Sequence, residues 1–159
     1  MATTFTADRA ASTFPVAQPS GGGILCVAWG TIEVSANPTA GDIYQMCRVP
    51  ANATVVGGRI YSDDLDTNAT ETLDLDVGWA ANGVDAADTD GFGNLGVFTT
   101  DTVAGIKPES GYNYAFGGVL VTDGPKTFSA ETIIQVYCNA TAATFAAGTL
   151  SVYVLYLVP

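Results

Sequence analysis

The chain has 159 residues, a formal net charge of −11, 48% hydrophobic residues and no histidine. That length and apolar content fit one domain with a real core rather than a disordered polyelectrolyte. The charge excludes binding that depends on neutralising phosphates, so neither a nucleic-acid nor an anionic-membrane partner is expected. Lack of histidine removes Ser-His-Asp and Cys-His catalysis and His-ligated zinc.

Residues 1–23 differ in character from the rest of the chain. Phe5, Phe14, Val16 and two prolines are strung along a stretch with no period, and Ser20 to Gly23 read Ser-Gly-Gly-Gly. An extended arm with a Gly-rich joint is the expectation, and 24–159 is read as the folded domain. The arm lacks a continuous apolar run, so no signal peptide is expected.

Strand signals begin at Ile24. The stretch "ILCVAWGTIEV" (Ile24 to Val34) is apolar on both sides at first and then alternates. "NPTAGD" turns, and "IYQMCRVP" (Ile43 to Pro50) is a strand ended by its proline. "ATVVGGRIYS" (Ala53 to Ser62) is the next, with Gly57-Gly58 marking a bulge or a close backbone approach.

The next segment, "YSDDLDTNATETLDLDVGW" (Tyr61 to Trp79), is rich in carboxylates and has no Lys or Arg. Its first part reads as a turn built from Asp, Asn, Ser and Thr. In "TLDLDVGWA" (Thr72 to Ala80) Leu73, Leu75 and Val77 share one face, and Asp74 and Asp76 share the other, expected to be wet. Two such carboxylates lie roughly 6.6–6.8 Å apart, the spacing of an inverting glycosidase. Nothing apolar adjoins them in sequence to separate their pKa values, so a solvated face is the favoured reading. The chain is read as not an enzyme.

Residues 81–105 are rich in Asp and Gly and read as a long connection with one short helical turn. Asp88, Asp90 and Gly91 imitate part of an EF-hand loop, but Ala86 and Val97 occupy the positions that need Asp and Glu. Asp85, Asp88 and Asp90 remain candidates for a calcium site of another kind; no cofactor is otherwise expected. "GYNYAFGGVLV" (Gly111 to Val121), "FSAETIIQVYCNA" (Phe128 to Ala140) and "TLSVYVLYLVP" (Thr149 to Pro159) complete about eight strands. The pattern is that of an all-β antiparallel sandwich or jelly roll.

The last strand is apolar on both faces: Leu150, Val152, Val154, Tyr156 and Val158 on one, Tyr153, Leu155 and Leu157 with Ser151 on the other. Strands of a two-layer sandwich normally wet one face. Leu25, Val27 and Trp29 give the first long strand the same property. The two strands are therefore expected to lie together, their outer faces covered by the arm or by a neighbouring copy. Cys26, Cys47 and Cys138, each in an apolar stretch, are expected as free buried thiols. Asn52, Asn68 and Asn139 each begin an Asn-Ala-Thr sequon, read here as turn material.

The stretch from Gly41 to Trp79 resembles small structural proteins encoded among the head genes of tailed bacteriophages. The resemblance rests on Gly41-Asp42, Val49-Pro50, Val55-Val56, Ser62 to Leu65 and Thr72 to Gly78, and continues loosely to the hydrophobic last strand. It implies a capsid decoration, or cement, protein: a β-sandwich, often a homotrimer, bound to the major capsid protein on the outside of the virion head after assembly in the bacterial cytoplasm. On that reading Phe5, Phe14, Val16, Leu25, Val27, Trp29, Tyr153, Leu155 and Leu157 are the interface. A second reading is a head-fibre or adhesin module that grips a host glycan, in a calcium-dependent form, with Trp29, Trp79, Tyr112 and Tyr114 stacking on sugar rings.

Overall fold

The computed structural model describes residues 2–16, 23–96, 113–117, 119–120 and 124–159. It is an all-β sandwich. The strands are β1 (Thr4–Thr6), β2 (Ile24–Val34), β3 (Ile43–Val49), β4 (Thr54–Ser62), β5 (Asp74–Trp79), β6 (Asp88–Gly93), β7 (Asn113–Gly117), β8 (Val119–Leu120), β9 (Gly124–Pro125), β10 (Thr132–Ala140) and β11 (Gly148–Val158). One layer is a 5-stranded sheet in the order β1-β3-β10-β5-β6, the other a 4-stranded sheet in the order β2-β11-β4-β7. A two-stranded ribbon of β8 and β9 is separate.

Period-2 patterning builds each layer. In β11, Leu150, Val152, Val154 and Tyr156 are buried, and the residues between them are half-buried. They meet Tyr44, Met46 and Val49 of β3 and Leu75, Val77 and Trp79 of β5 in one continuous core. Trp79, Phe92 and Phe128 form an aromatic group with Phe116, its ring centroids 4.9 to 6.3 Å apart, near the geometry such rings prefer. The Trp79 indole N–H donates to the Ala86 carbonyl at 2.9 Å, which satisfies its polar end.

Two departures from plain alternation have local causes. In β3 the register with β10 slips at Met46, and the bulge lets consecutive Met46 and Cys47 both be buried. In β4 the register with β11 slips at Val56, so Val55 and Ile60, an odd five residues apart, both point in. The Gly57-Gly58 pair therefore marks both things the sequence suggested. The bulge lies beside it, and a Cβ on Gly58 would fall on the Phe116 ring.

Within the expected arm, β1 is a strand: it pairs in parallel with β3, Thr4 opposite Ile43 and Thr6 opposite Gln45. A 3-10 turn at Asp8–Ala10 comes next, with Ala7 and Ala10 buried. β6 lies in the stretch expected to be a long connection; its segment 97–105 is outside the described residues. Strand bounds for β2 and β3 follow the alternation and the Pro50 stop almost residue for residue.

The exposed face assigned to Asp76 needs correction. Its side chain points away from the core, yet it is only 2% exposed. Residues after β6 fold over it: the Leu95 N–H donates to Asp76 Oδ1 at 2.8 Å, and the Asn139 amide donates to Oδ2. Asp74 beside it is half-buried, and its Oδ1 has no hydrogen-bond partner. Burial, then the neighbouring Asp76 charge, pushes the Asp74 carboxyl up.

Candidate docking interface

Carboxylates are the first suspects for chemistry, and the structure gives several of the described ones structural duties. Asp66 is 3% exposed and is a backbone clamp. It accepts from the N–H groups of Thr72 (2.8 Å), Leu73 (3.1 Å), Ala143 (3.0 Å) and Thr144 (2.9 Å). Burial pushes its carboxyl up, but these bonds to the charged form outweigh that and hold it at about 2. Asp42 clamps the start of the chain in the same way, accepting from Thr3 N–H at 2.7 Å and Thr39 N–H at 2.8 Å.

The three calcium candidates are not gathered at one point. Asp85 faces Lys126 Nζ at 3.1 Å and accepts from Ser129 N–H at 2.9 Å and Asn82 Nδ2 at 2.8 Å. Those bonds hold its carboxyl below the ordinary value. Asp88 and Asp90 adjoin each other on β6, and burial with the Asp90 contact raises the Asp88 carboxyl. Among the described residues no three carboxylates or thiols are gathered as a metal would need. Two of the sequon asparagines serve the backbone: Asn52 adopts φ 63°, the left-handed region open to Asn in turns, and Asn68 Oδ1 accepts from Thr70 N–H at 2.9 Å; the third, Asn139, donates to Asp76.

The glycan platform does not assemble either. Trp79 is buried at 3% exposure, Tyr114 packs against the core, and Tyr112 lies outside the described residues. One face of Trp29 is taken by the Arg9 guanidinium, 3.8 Å from the ring centroid; the same group is 4.7 Å from the Phe14 ring.

What the structure does bring together is apolar. β2 and β11 pair antiparallel along their whole length, which puts Leu25 opposite Leu157, Val27 opposite Leu155 and Trp29 opposite Tyr153. All six side chains lie on the outer face of the 4-stranded sheet. Leu25 is 57% exposed, Val27 52% and Trp29 44%, and their β11 partners are half-buried. Val56 and Tyr61 of β4 extend the patch, Tyr61 lying 6.2 Å from Tyr153 between ring centroids. Among the described residues, every large hydrophobic that is exposed, except Val84, belongs to β2 or β4. The exposed apolar area is thus one continuous patch rather than scattered single side chains.

Of the arm residues, Phe14 and Val16 sit beside this patch, whereas Phe5, expected at the interface, packs on the core. Phe5 stacks on Tyr44, centroids 5.0 Å apart and planes 13° from parallel. Phe14 and Val16 line a cleft with Arg9, Val27 and Trp29. Arg48 donates to the Ser12 carbonyl at 3.3 Å and pairs with Glu131. Sequence reasoning missed Arg9 and Arg48 as the fasteners of this segment; isolated arginines carry no pattern. It also missed Val56 and Tyr61, although Arg59-Ile60-Tyr61 alternates.

No protein-family profile and no curated protein matches the chain. Solved structures do. It is similar to a chain of the cyanophage Pam1 capsid asymmetric unit, at 29% identity and a TM-score of 0.64, over 94% of this chain and 96% of that one. A chain of the capsid of Ralstonia phage GP4 superposes with a TM-score of 0.74 at 22% identity, over 98% of both. A chain of the acid-stable capsid of Helicobacter pylori bacteriophage KHP30 gives a TM-score of 0.56 at 17% identity, over 87% of this chain and 91% of that one. The last two are likenesses of fold. These three neighbours are chains of phage capsids, and this molecule shares their fold.

Proposed function

We propose that the chain is a structural protein of a phage head: a decoration, or cement, protein that binds the outside of the shell and stabilises it. The observation that carries this reading is the end-to-end similarity, at 29% identity, to a chain of the Pam1 capsid. Its charge of −11 supports an outward position, because packaged nucleic acid repels an acidic protein from the inner surface.

The mechanism is mechanical. The apolar outer face of β2 and β11 holds copies together as a homotrimer, and each trimer spans several major-capsid subunits. Once one contact is made, the others form at high effective concentration, so the shell must break several at once to expand or lose a subunit. Exposed carboxylates on the remaining surface keep crowded particles apart.

The test is to add the purified chain to phage shells assembled without it. Regularly spaced occupancy in particle images, with a higher temperature of shell rupture, is expected. Shells that stay bare, or that rupture at the same temperature when decorated, overturn the reading.

A further inference from the structure

Asp74 and Asp76 form a pair whose needs the groups around it do not meet. They are two residues apart on β5, so both side chains leave the strand on the outer face of the 5-stranded sheet. β10 bulges opposite them: Cys138 pairs with Leu75 and Ala140 with Asp74, and Asn139 between them is left over. The Asn139 amide donates to Asp76 Oδ2 and also serves Asp74. Asp76 Oδ1 accepts from Leu95 N–H at 2.8 Å, which ties the stretch after β6 down on the sheet. Asp74 Oδ1 is enclosed and has no partner. An enclosed oxygen without a donor is costly, and more so when it carries charge.

Among the described residues no cation offsets the pair. Arg9 sits on Trp29, Arg48 pairs with Glu131, Arg59 donates to Asn113 and Lys126 pairs with Asp85. The titratable groups nearby bring no positive charge either. On β10, Tyr137 lies opposite Asp76 and Cys138 opposite Leu75, with Asp42 beside Cys138. Asp66 and Glu71 precede β5, and Asp88 lies at its Trp79 end. Asn94 to Gly96, after β6, are uncharged. We propose that Asp74 and Asp76 hold a single proton between them, carried on Asp74 and donated to Asp76, and that this proton latches the stretch after β6 over the sheet. With it, Asp76 keeps its charge and its bond to Leu95. Without it, two carboxylates repel, and Asp76 is drawn off Leu95. Burial, then the Asp76 charge, raises the Asp74 carboxyl. The latch is therefore complete below the ordinary Asp value and is lost as pH rises through the raised one, the reverse of a backbone clamp such as Asp66. None of this depends on the shell reading.

The experiment uses the full chain and NMR. Exchange of the Leu95 amide, corrected for the intrinsic effect of pH, is measured at about pH 4.5 and about pH 7.5, and the side-chain carboxyl carbons of Asp74 and Asp76 are titrated in the same samples. At least about 5-fold more protection of Leu95 is expected at the lower pH, with Asp74 titrating above the ordinary Asp range. In Asp74→Asn the side-chain amide donates to Asp76 at any pH, so Leu95 is expected to be protected equally at both. Equal protection of Leu95 at the two pH values in the native chain overturns the latch. So does an Asp74 carboxyl that titrates in the ordinary range. A pH dependence that persists in Asp74→Asn belongs to another group and overturns the pair. The two native-chain readings decide the matter even where the variant fails to fold.

Discussion

Asp66 shows how one carboxylate can organise two loops. Four of its backbone bonds tie the turn before β5 to the turn between β10 and β11. Because its folded value of about 2 lies below an ordinary carboxyl, its contribution is complete above about pH 4 and is lost as pH falls through about 2. The shift corresponds to about 2 kcal/mol. Urea unfolding at pH 7 and pH 2.5 is expected to show an acid loss in the native chain that is smaller by about 1.5 kcal/mol in Asp66→Asn, which should already be destabilised at pH 7. Gly30 has the opposite kind of importance. It lies where β2 crosses β3, and a Cβ there would fall within the Met46 carbonyl. Backbone cannot swing aside as a side-chain tip can, so Gly30→Ala is expected to cost at least about 3 kcal/mol, measured as a fall in the urea midpoint.

At the scale of elements, the N-terminal segment is the instructive case. Three residues of parallel pairing, one aromatic stack and a pair of arginine contacts hold residues 2–16 on the body. Removing them uncovers Tyr44, which is 2% exposed. A chain lacking residues 2–16 is therefore expected to fold with about 2–4 kcal/mol less stability, seen in the same urea titration. An undiminished midpoint would mean that the segment rests on the body without stabilising it. Its strand is not legible in the sequence because Thr4-Phe5-Thr6 is too short to establish a period. β6 is hidden for another reason: Asp-Thr-Asp-Gly-Phe-Gly has turn composition, and only Phe92 reports burial. β2 and β11 are legible almost to the residue, since long apolar alternation admits no other element.

For the whole molecule, two terms of opposite sign set association. In the proposed oligomer, copies carrying −11 repel, and the apolar face around Val27 and Leu155 is what would hold them. Raising NaCl from about 0.05 to about 0.5 M screens the first and leaves the second intact, so sedimentation should show tighter self-association in high salt. Val27→Asp should weaken it by at least about 10-fold while the unfolding midpoint hardly changes, because Val27 is already 52% exposed. Tightening at low salt would point to ion pairs and away from this face. Alternation tells which residues share a face, and so exposes this surface in advance. It does not say what lies over a face. Asp76 looks wet in the sequence for that reason, its cover coming from Leu95 across a turn with no pattern of its own.

The three thiols have a practical consequence. None is bonded to another, and Cys47 and Cys138 are 1% and 0% exposed, burial pushing both up to about 12. A thiol so protonated and enclosed is a poor nucleophile, so neither oxidants nor alkylators reach it while the sandwich is shut. Cys26, expected to be buried, is only half-buried and is the thiol open to reagents. The two buried sulfurs are built-in clocks: the pace at which they take up a label counts how often the layers part.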